Sequence, residues 1–126
     1  MGYDITLCDG HSGETIRLSE PHFHQGSTFA VGGTDECWLA VTFNYNEIYA
    51  NPRFCPAFRG LTLYEVLHNN QAGHVIEVLE RAIEQLGTQN YKADYFAPTP
   101  GNAGHALIPL VEWAKMYPDA VFQVSR

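Results

Sequence analysis

Two histidines, His22 and His24, are separated by a single residue. In an extended chain, residues two apart point to the same side, so the two imidazole rings face one direction. Imidazole nitrogen is a good ligand for zinc and other divalent transition metals. The pair therefore predicts a metal site in a small metal-dependent enzyme or a metal sensor. The alternative interpretation is a polar loop beside Pro21 in which both histidines are ordinary surface residues.

A second pair of ionisable residues, Asp35 and Glu36, follows two glycines and a threonine. Adjacent carboxylates can act as acid and base when one site holds both. Neighbouring residues of a strand point to opposite faces, so the sequence favours a turn that leads into a strand. The three cysteines lie in apolar or proline-flanked contexts, which favour a structural role, and no serine lies in a nucleophile motif. The sequence thus predicts no catalytic set.

Side chains that combine contact area with directional hydrogen bonds are dense in one stretch after the chain's strongest strand signal. Tyrosine, asparagine and arginine are common recognition residues for this reason. The six residues of this predicted recognition surface are Thr42, Asn44, Tyr45, Asn46, Tyr49 and Arg53. The surface would bind a protein partner or a small polar ligand. In the alternative interpretation, the tyrosines are core residues with satisfied hydroxyls and the asparagines serve turns.

A third hypothesis is a protein that sequesters a nucleotide signal. The stretch Gly101-Asn102-Ala103-Gly104 opens a predicted helix, and free N–H groups at a helix start can bind an anion. Such a ligand would lie at this helix start or near Asn44. A plain capped helix start accounts for the same residues, and neither a phosphate-binding loop nor a dinucleotide-binding glycine motif is present.

Composition and charge limit the possible partners. The chain has 126 residues, the common size of one domain, and 7 Lys and Arg against 14 Asp and Glu give a net charge of −7. The basic residues are scattered singly, which argues against nucleic-acid binding. No apolar run approaches the roughly 18 residues of a membrane span. Three cysteines, an odd count, argue against a disulfide framework, so we expect a cytoplasmic protein.

The elements that must position these residues change character near Pro56, from strand signals before it to helical periodicity after it. Thr62 and Glu65 have the spacing of a capping box, which predicts a short helix there. Pro109 lies inside the second long helical pattern and predicts either a kink or a start close before it. The predicted strands cover 5–8, 14–18, 27–31, 37–45 and 120–124, and the predicted long helices cover 71–86 and 102–117. Together they predict a single α+β domain over residues 1–126, with an antiparallel sheet of about four to five strands and two main amphipathic helices on one face.

The motif Gly33-Thr34-Asp35-Glu36-Cys37-Trp38, followed by Thr42-x-Asn44-Tyr45, resembles a group of small uncharacterised bacterial and phage proteins. Members of that group tend to open with a stretch similar to Met1-Gly2-Tyr3-Asp4. The resemblance implies no activity. It does imply a role in a mobile element or in host interaction, in a bacterial cytoplasm or in that of a phage-infected host.

The sequence therefore predicts a non-catalytic binding protein, such as a host-protein inhibitor of the immunity or anti-defence type. It would use the six-residue recognition surface, as a homodimer in the simplest case, and it would need no cofactor. The metal-binding and nucleotide-binding hypotheses remain the alternatives. The recognition surface depends on one premise, namely that the second half of the strand over 37–45 leaves the interior.

Overall fold

The computed structural model describes residues 2–22, 33–89 and 97–126. Three of its strands are β1 (Gly2–Cys8), β4 (Trp38–Thr42) and β5 (Val121–Ser125). They form an antiparallel sheet in the order β4–β1–β5, so β1 lies in the middle. Ile5 of β1 lies opposite Leu39 on one side and Val124 on the other. All three are buried, so this face of the sheet carries the core.

A separate two-stranded antiparallel sheet pairs β2 (Arg17–His22) with β3 (Thr34–Glu36). The α+β class with antiparallel sheets is confirmed, but a single sheet of four to five strands with two helices on one face is not. The reason lies at Cys37, between β3 and β4. Its N–H donates to Ile16 O over 2.9 Å and its carbonyl accepts from Leu7 N–H over 3.0 Å. The chain bends here, and the strands on either side of the bend pair with different partners.

The predicted hairpin over 5–8 and 14–18 forms only at its closed end. Asp9 holds the turn because its carboxylate accepts the N–H groups of His11 and Ser12. Beyond the turn a single bridge joins Cys8 to Thr15, and the chain then leaves β1 to pair with β3. The predicted strand over 27–31 lies outside the described residues.

The predicted strand over 37–45 is too long at its end. The extended chain stops at Thr42, whose hydroxyl accepts the N–H of Asn44 over 3.2 Å. A 3₁₀ turn, Phe43–Tyr45, and the short helix α1, Asn46–Tyr49, follow. Threonine and asparagine often act as such caps. The sequence therefore keeps its alternating pattern beyond Thr42, but the backbone there is no longer extended.

Two short elements lead from α1 to the long helices: a 3₁₀ turn, Pro56–Phe58, and the helix α2, Leu63–Leu67. The predicted capping box is confirmed, since Thr62 and Glu65 each accept the other's backbone N–H, over 3.2 and 3.1 Å. The segment after α2 covers the outer edge of β5. There Asn69 N–H donates to Phe122 O, and Phe122 N–H donates to Asn70 O.

The long helices are α3 (Ala72–Leu86) and α4 (Pro100–Met116), which pack against each other. The prediction for α3 is confirmed to within one residue, whereas α4 starts two residues before its predicted start. Thr99 caps α4 by accepting the N–H of Asn102 over 3.1 Å. Pro109 is buried inside a continuous helix. In the parts of the chain that the structure describes, no helix is both long and apolar enough to span a membrane.

Candidate binding site

Three of the six residues of the predicted recognition surface lie inside the protein. Thr42, Tyr45 and Tyr49 are 4%, 1% and 0% exposed. The hydroxyl of Tyr49 donates to Ala103 O over 2.8 Å, and the ring of Tyr45 meets that of Tyr49 edge-on at 6.1 Å. Burial raises the pKa of Tyr49 well above its usual value. These three residues are therefore not part of a surface, because Thr42 ends β4, and the 3₁₀ turn and α1 carry Tyr45 and Tyr49 into the core.

The other three residues remain accessible but do not meet at one place. Asn44 is exposed and Asn46 half-buried, and both line a cleft of about 350 Å³ with Phe43, Glu47 and Pro98. The Oδ1 of Asn46 already accepts a hydrogen bond from the hydroxyl of Tyr3 over 3.0 Å. Arg53 is exposed but does not line this cleft. The structure thus brings the two asparagines together and leaves the arginine in the following loop.

Of the predicted metal-binding pair, His22 is among the described residues. The Nε2 atom of His22 lies 2.7 Å from Glu36 O, which can only accept, so Nε2 carries the proton. A metal at Nε2 would have to replace this hydrogen bond. His24 lies outside the described residues, so metal binding by the pair stays a prediction. Within 2–22, 33–89 and 97–126, no group of three or more His, Cys, Asp or Glu residues could hold a metal ion.

Asp35 and Glu36, the adjacent carboxylates, both reach Arg17, over 2.6 and 3.3 Å. The Arg17 side chain is largely exposed and the two carboxylates are partly exposed, so the ion pairs help to hold the small sheet and stabilise it only slightly. The prediction of a turn here is wrong, because Asp35 and Glu36 belong to β3, which pairs with β2.

The glycines at the start of α4 serve close packing. A Cβ atom at Gly104 would collide with the carbonyl oxygen of Gly87, and one at Gly101 would collide with that of Gln89. Asn102, between them, is buried, and its side-chain amide donates to Ala97 O over 3.0 Å. The start of α4 is therefore packed against the end of α3 and the residues that follow it. Its Thr99 cap fits the alternative interpretation of a plain capped helix start.

The three cysteines are free thiols and all are buried. Burial raises the pKa of Cys37 to about 12 and also raises that of Cys55. A thiol is a poor nucleophile until it ionises. Burial therefore disfavours the thiolate form of Cys37 and Cys55 at neutral pH.

A cleft of about 710 Å³ lies between the turn after β1 and the chain that enters β5. Two carboxylates line it, and both already accept hydrogen bonds. Asp9 accepts from its own turn, where the backbone N–H groups of Ser12 and His11 lower its pKa, and Asp119 accepts from Gln71 over 3.4 Å. Because these hydrogen bonds hold the local backbone and loop, the presence of the two carboxylates does not indicate that a ligand binds in this cleft.

An apolar groove of about 490 Å³ lies between the segment that follows Cys55 and the helices α2 and α3. Its lining is mostly aliphatic and aromatic, with a polar rim. Phe58, Val66 and Val75 are buried in its floor, and Val78 is half-buried. Leu61, at 41% exposure, offers a large apolar side chain at its edge. The rim residues are Arg59, Glu65, Asn70, Arg81 and Gln85.

Backbone hydrogen bonds fix the wall of this groove. Ala57 N–H donates to the side-chain oxygen of Gln85 over 2.9 Å, which ties the 3₁₀ turn to α3. Arg59 N–H donates to Pro56 O and Leu61 N–H to Phe58 O, over 3.0 and 2.9 Å. None of the residues that line this groove was predicted from the sequence as a binding residue. A local signal for the turn is the glycine of the Phe-Arg-Gly-Leu stretch, which follows Arg59 at positive φ.

Comparison of the chain with protein-family models, with curated proteins and with solved structures found no match. The resemblance to small bacterial and phage proteins therefore stays a prediction. The groove between the Pro56–Phe58 turn and α3 is the feature of the described residues from which a function can be inferred.

Proposed function

We propose that this chain is a non-catalytic binding protein whose groove holds an apolar segment of a protein partner. The observation that carries the proposal is the apolar floor of the groove, open to solvent beside the exposed side chain of Leu61. Its volume of about 490 Å³ lies within the range of ligand sites in proteins. An inhibitor of a host protein, of the immunity or anti-defence type, belongs to this class.

The exposed apolar side chains support a protein partner over a small polar ligand. Among the described residues, the large hydrophobic side chains left exposed are Phe54, Leu61 and Met116, at 39%, 41% and 56%. Leu61 lines the groove, and Phe54 lies seven residues before it in the chain. Exposed apolar surface that is clustered and rimmed by polar groups is typical of protein-interaction sites.

The lining of the groove also supports binding over catalysis. No histidine, cysteine, serine, threonine or tyrosine is among the residues that line it. Of its ionisable residues, Glu65 is held in the capping box and Arg81 pairs with Glu77 over 2.6 Å. General acid–base and nucleophilic mechanisms need a group that is within reach and uncommitted. A groove of this kind instead accepts apolar side chains of an extended or helical segment.

Selection of a displayed random-peptide library on the purified chain tests the proposal, with peptides of about fifteen residues, enough to fill such a groove. We expect enriched peptides with two or more large apolar residues. The Leu61→Asp variant should lose their binding, because it places a charge at the edge of the apolar floor. Met116→Asp is the matched control, since it changes another exposed apolar residue that lies outside the groove.

If no peptide is enriched, or if the enriched peptides bind Leu61→Asp and Met116→Asp equally well, the groove is not the binding site. Both variants change exposed positions, so loss of folding does not complicate the comparison. Circular dichroism of the two variants checks that assumption directly.

The alternatives from the sequence have tests of their own. Elemental analysis of the purified chain, and thermal unfolding with added zinc, nickel or manganese, test the His22 and His24 hypothesis, because a bound metal raises the melting temperature. Thermal unfolding with cyclic and ADP-ribose-type nucleotides tests the nucleotide hypothesis in the same way. The cleft beside Asn44 and Asn46 is the place where such a polar ligand would lie.

A further inference from the structure

The stretch from Ile48 to Tyr64, which includes the groove residues from Pro56 to Leu61, has a charge opposite to that of the whole chain. It has two arginines, Arg53 and Arg59, and no aspartate or glutamate. The whole chain has twice as many acidic as basic residues and a net charge of −7. Glu65, the acidic residue that lines the groove, is held in the capping box, so Arg59 is the charged group of this stretch that faces a ligand there.

These two arginines also differ from the other basic residues of the described ranges in how they are paired. Arg17, Arg81 and Lys115 each form an ion pair with a carboxylate of the same chain, over 2.6 to 3.0 Å for the closest atoms. The guanidinium of Arg126 lies 3.9 Å from the ring centre of Tyr64. No ion pair of residues 2–22, 33–89 and 97–126 includes Arg53 or Arg59. Arg59 lines the groove, so its charge is available to whatever binds there.

Arg59 adopts a backbone conformation that costs free energy for a residue with a side chain. Its φ of 53° and ψ of 36° place it in the left-handed region, directly before Gly60 at φ 84°. Glycine or asparagine adopts this conformation at lower cost than a long side chain does. A strained residue at the rim of an apolar groove is a reason to look for a functional role.

We infer that the partner segment is acidic as well as apolar, with an aspartate or glutamate beside its apolar side chains. This inference rests on the proposed function of the groove. Arg59 would bind the carboxylate, since a guanidinium donates two parallel hydrogen bonds to one carboxylate group. Arg53 adds a positive charge nearby in the chain and favours the approach of an acidic segment. The apolar floor would take the neighbouring side chains.

The same peptide selection tests this inference at a finer level. We expect aspartate or glutamate to be enriched within a few positions of the apolar residues. For a synthesised peptide from the selection, Arg59→Gln should weaken binding about tenfold, because it removes one charge-assisted contact. Exchanging the acidic residues of that peptide for their amides should weaken binding to the unchanged chain by a similar factor. Arg17→Gln is the matched control, because Arg17 lies outside the groove.

Combining Arg59→Gln with the amide peptide separates a direct contact from a general charge effect. If Arg59 binds the carboxylate, the two changes together should weaken binding little more than either alone. Binding of the acidic peptide should also weaken as salt is raised, whereas binding of the amide peptide should change less.

The outcomes distinguish the two levels of the proposal. Peptides that lose binding to Leu61→Asp, but show no acidic preference and bind Arg59→Gln normally, would refute the acidic partner and leave the groove in place. Peptides indifferent to Leu61→Asp would refute the groove itself. A concentration-dependent dimer in sedimentation that Leu61→Asp abolishes would instead identify a second copy of this chain as the occupant, and would also refute the acidic partner.

Discussion

Tyr49 has both of the features that make a recognition residue, an aromatic ring and a hydroxyl, but uses them within the core. The ring is fully buried, against Phe58 and Tyr45, and the hydroxyl donates to the carbonyl of Ala103 in α4. A residue type can predict which interactions a side chain is able to make. It cannot predict whether the partner is another molecule or another part of the same chain.

Tyr49→Phe is expected to lower the free energy of unfolding by about 1 kcal/mol, because the buried carbonyl of Ala103 loses a hydrogen bond. Urea denaturation measures the difference. Tyr64→Phe is the control, since none of the hydrogen bonds of the described residues uses the hydroxyl of Tyr64, and it should change stability less. Equal stability of Tyr49→Phe and the unchanged chain would show that this hydroxyl contributes nothing to packing between α1 and α4.

Cys37 should make the protein less stable in alkaline solution. Its thiol ionises near 9.0 when exposed, but burial raises its pKa to about 12 in the folded chain. The unfolded chain therefore loses this proton first, so the contribution is complete below pH 9 and is lost as pH rises toward 12. At about pH 10 the loss should be about 1.4 kcal/mol from this group.

Urea denaturation at about pH 7 and about pH 10, for the unchanged chain and for Cys37→Ala, isolates this effect from other titrating groups. Cys37→Ala should be less stable at neutral pH but should lose less stability between the two pH values. Identical losses in the two proteins would contradict the assignment to Cys37.

At the scale of elements, the sequence predicted best those features that depend on neighbouring residues. The capping box at Thr62 and Glu65, and the helix α3 with its buried Leu79 and Ala82, follow from local spacing alone. The end of β4 was predicted too late because Thr42 caps a 3₁₀ turn, and a cap competes with strand pairing over the same few residues.

The pairing of strands could not be predicted from local patterns. The apparent hairpin from β1 to residue 18 forms one bridge at Cys8 and Thr15, and β2 then pairs with β3. That exchange depends on the hydrogen bonds of Cys37 to Ile16 and Leu7, from two other parts of the chain. An alternating pattern of polar and apolar residues predicts a strand, but it does not predict which other strand will pair with it.

The contact between α3 and α4 depends on Gly104, where a side chain would collide with the carbonyl of Gly87. We expect Gly104→Ala to lower the free energy of unfolding by about 2 kcal/mol, even though alanine favours a helix, because the two elements must move apart. Thermal and urea denaturation measure the change. Gly10→Ala is the control, since an added Cβ there would lie at an ordinary 3.4 Å from its nearest neighbour, Asp119 O. A more stable Gly104→Ala variant would contradict the close approach.

At the scale of the whole molecule, the sequence could predict the general kind of site, a binding surface, but not where that site lies. Arg53 was predicted as a binding residue from its type, and it lies three residues before Pro56, the first residue of the groove lining. The groove itself combines that segment with side chains of α2 and α3, such as Val66 and Val78. Residues this far apart in sequence meet only after folding, so no local pattern revealed them.

The central place of β1 in its sheet has a consequence for the order in which the protein folds. Its two neighbours, β4 and β5, are separated from each other by most of the chain, and Thr6 bonds to a residue 117 positions later. During synthesis the first strand leaves the ribosome with both edges bare, and one edge stays bare until residues 121–125 have been made. A bare strand edge can pair with the wrong chain. Chaperone demand and aggregation on crowded polysomes should therefore be highest before the last strand appears.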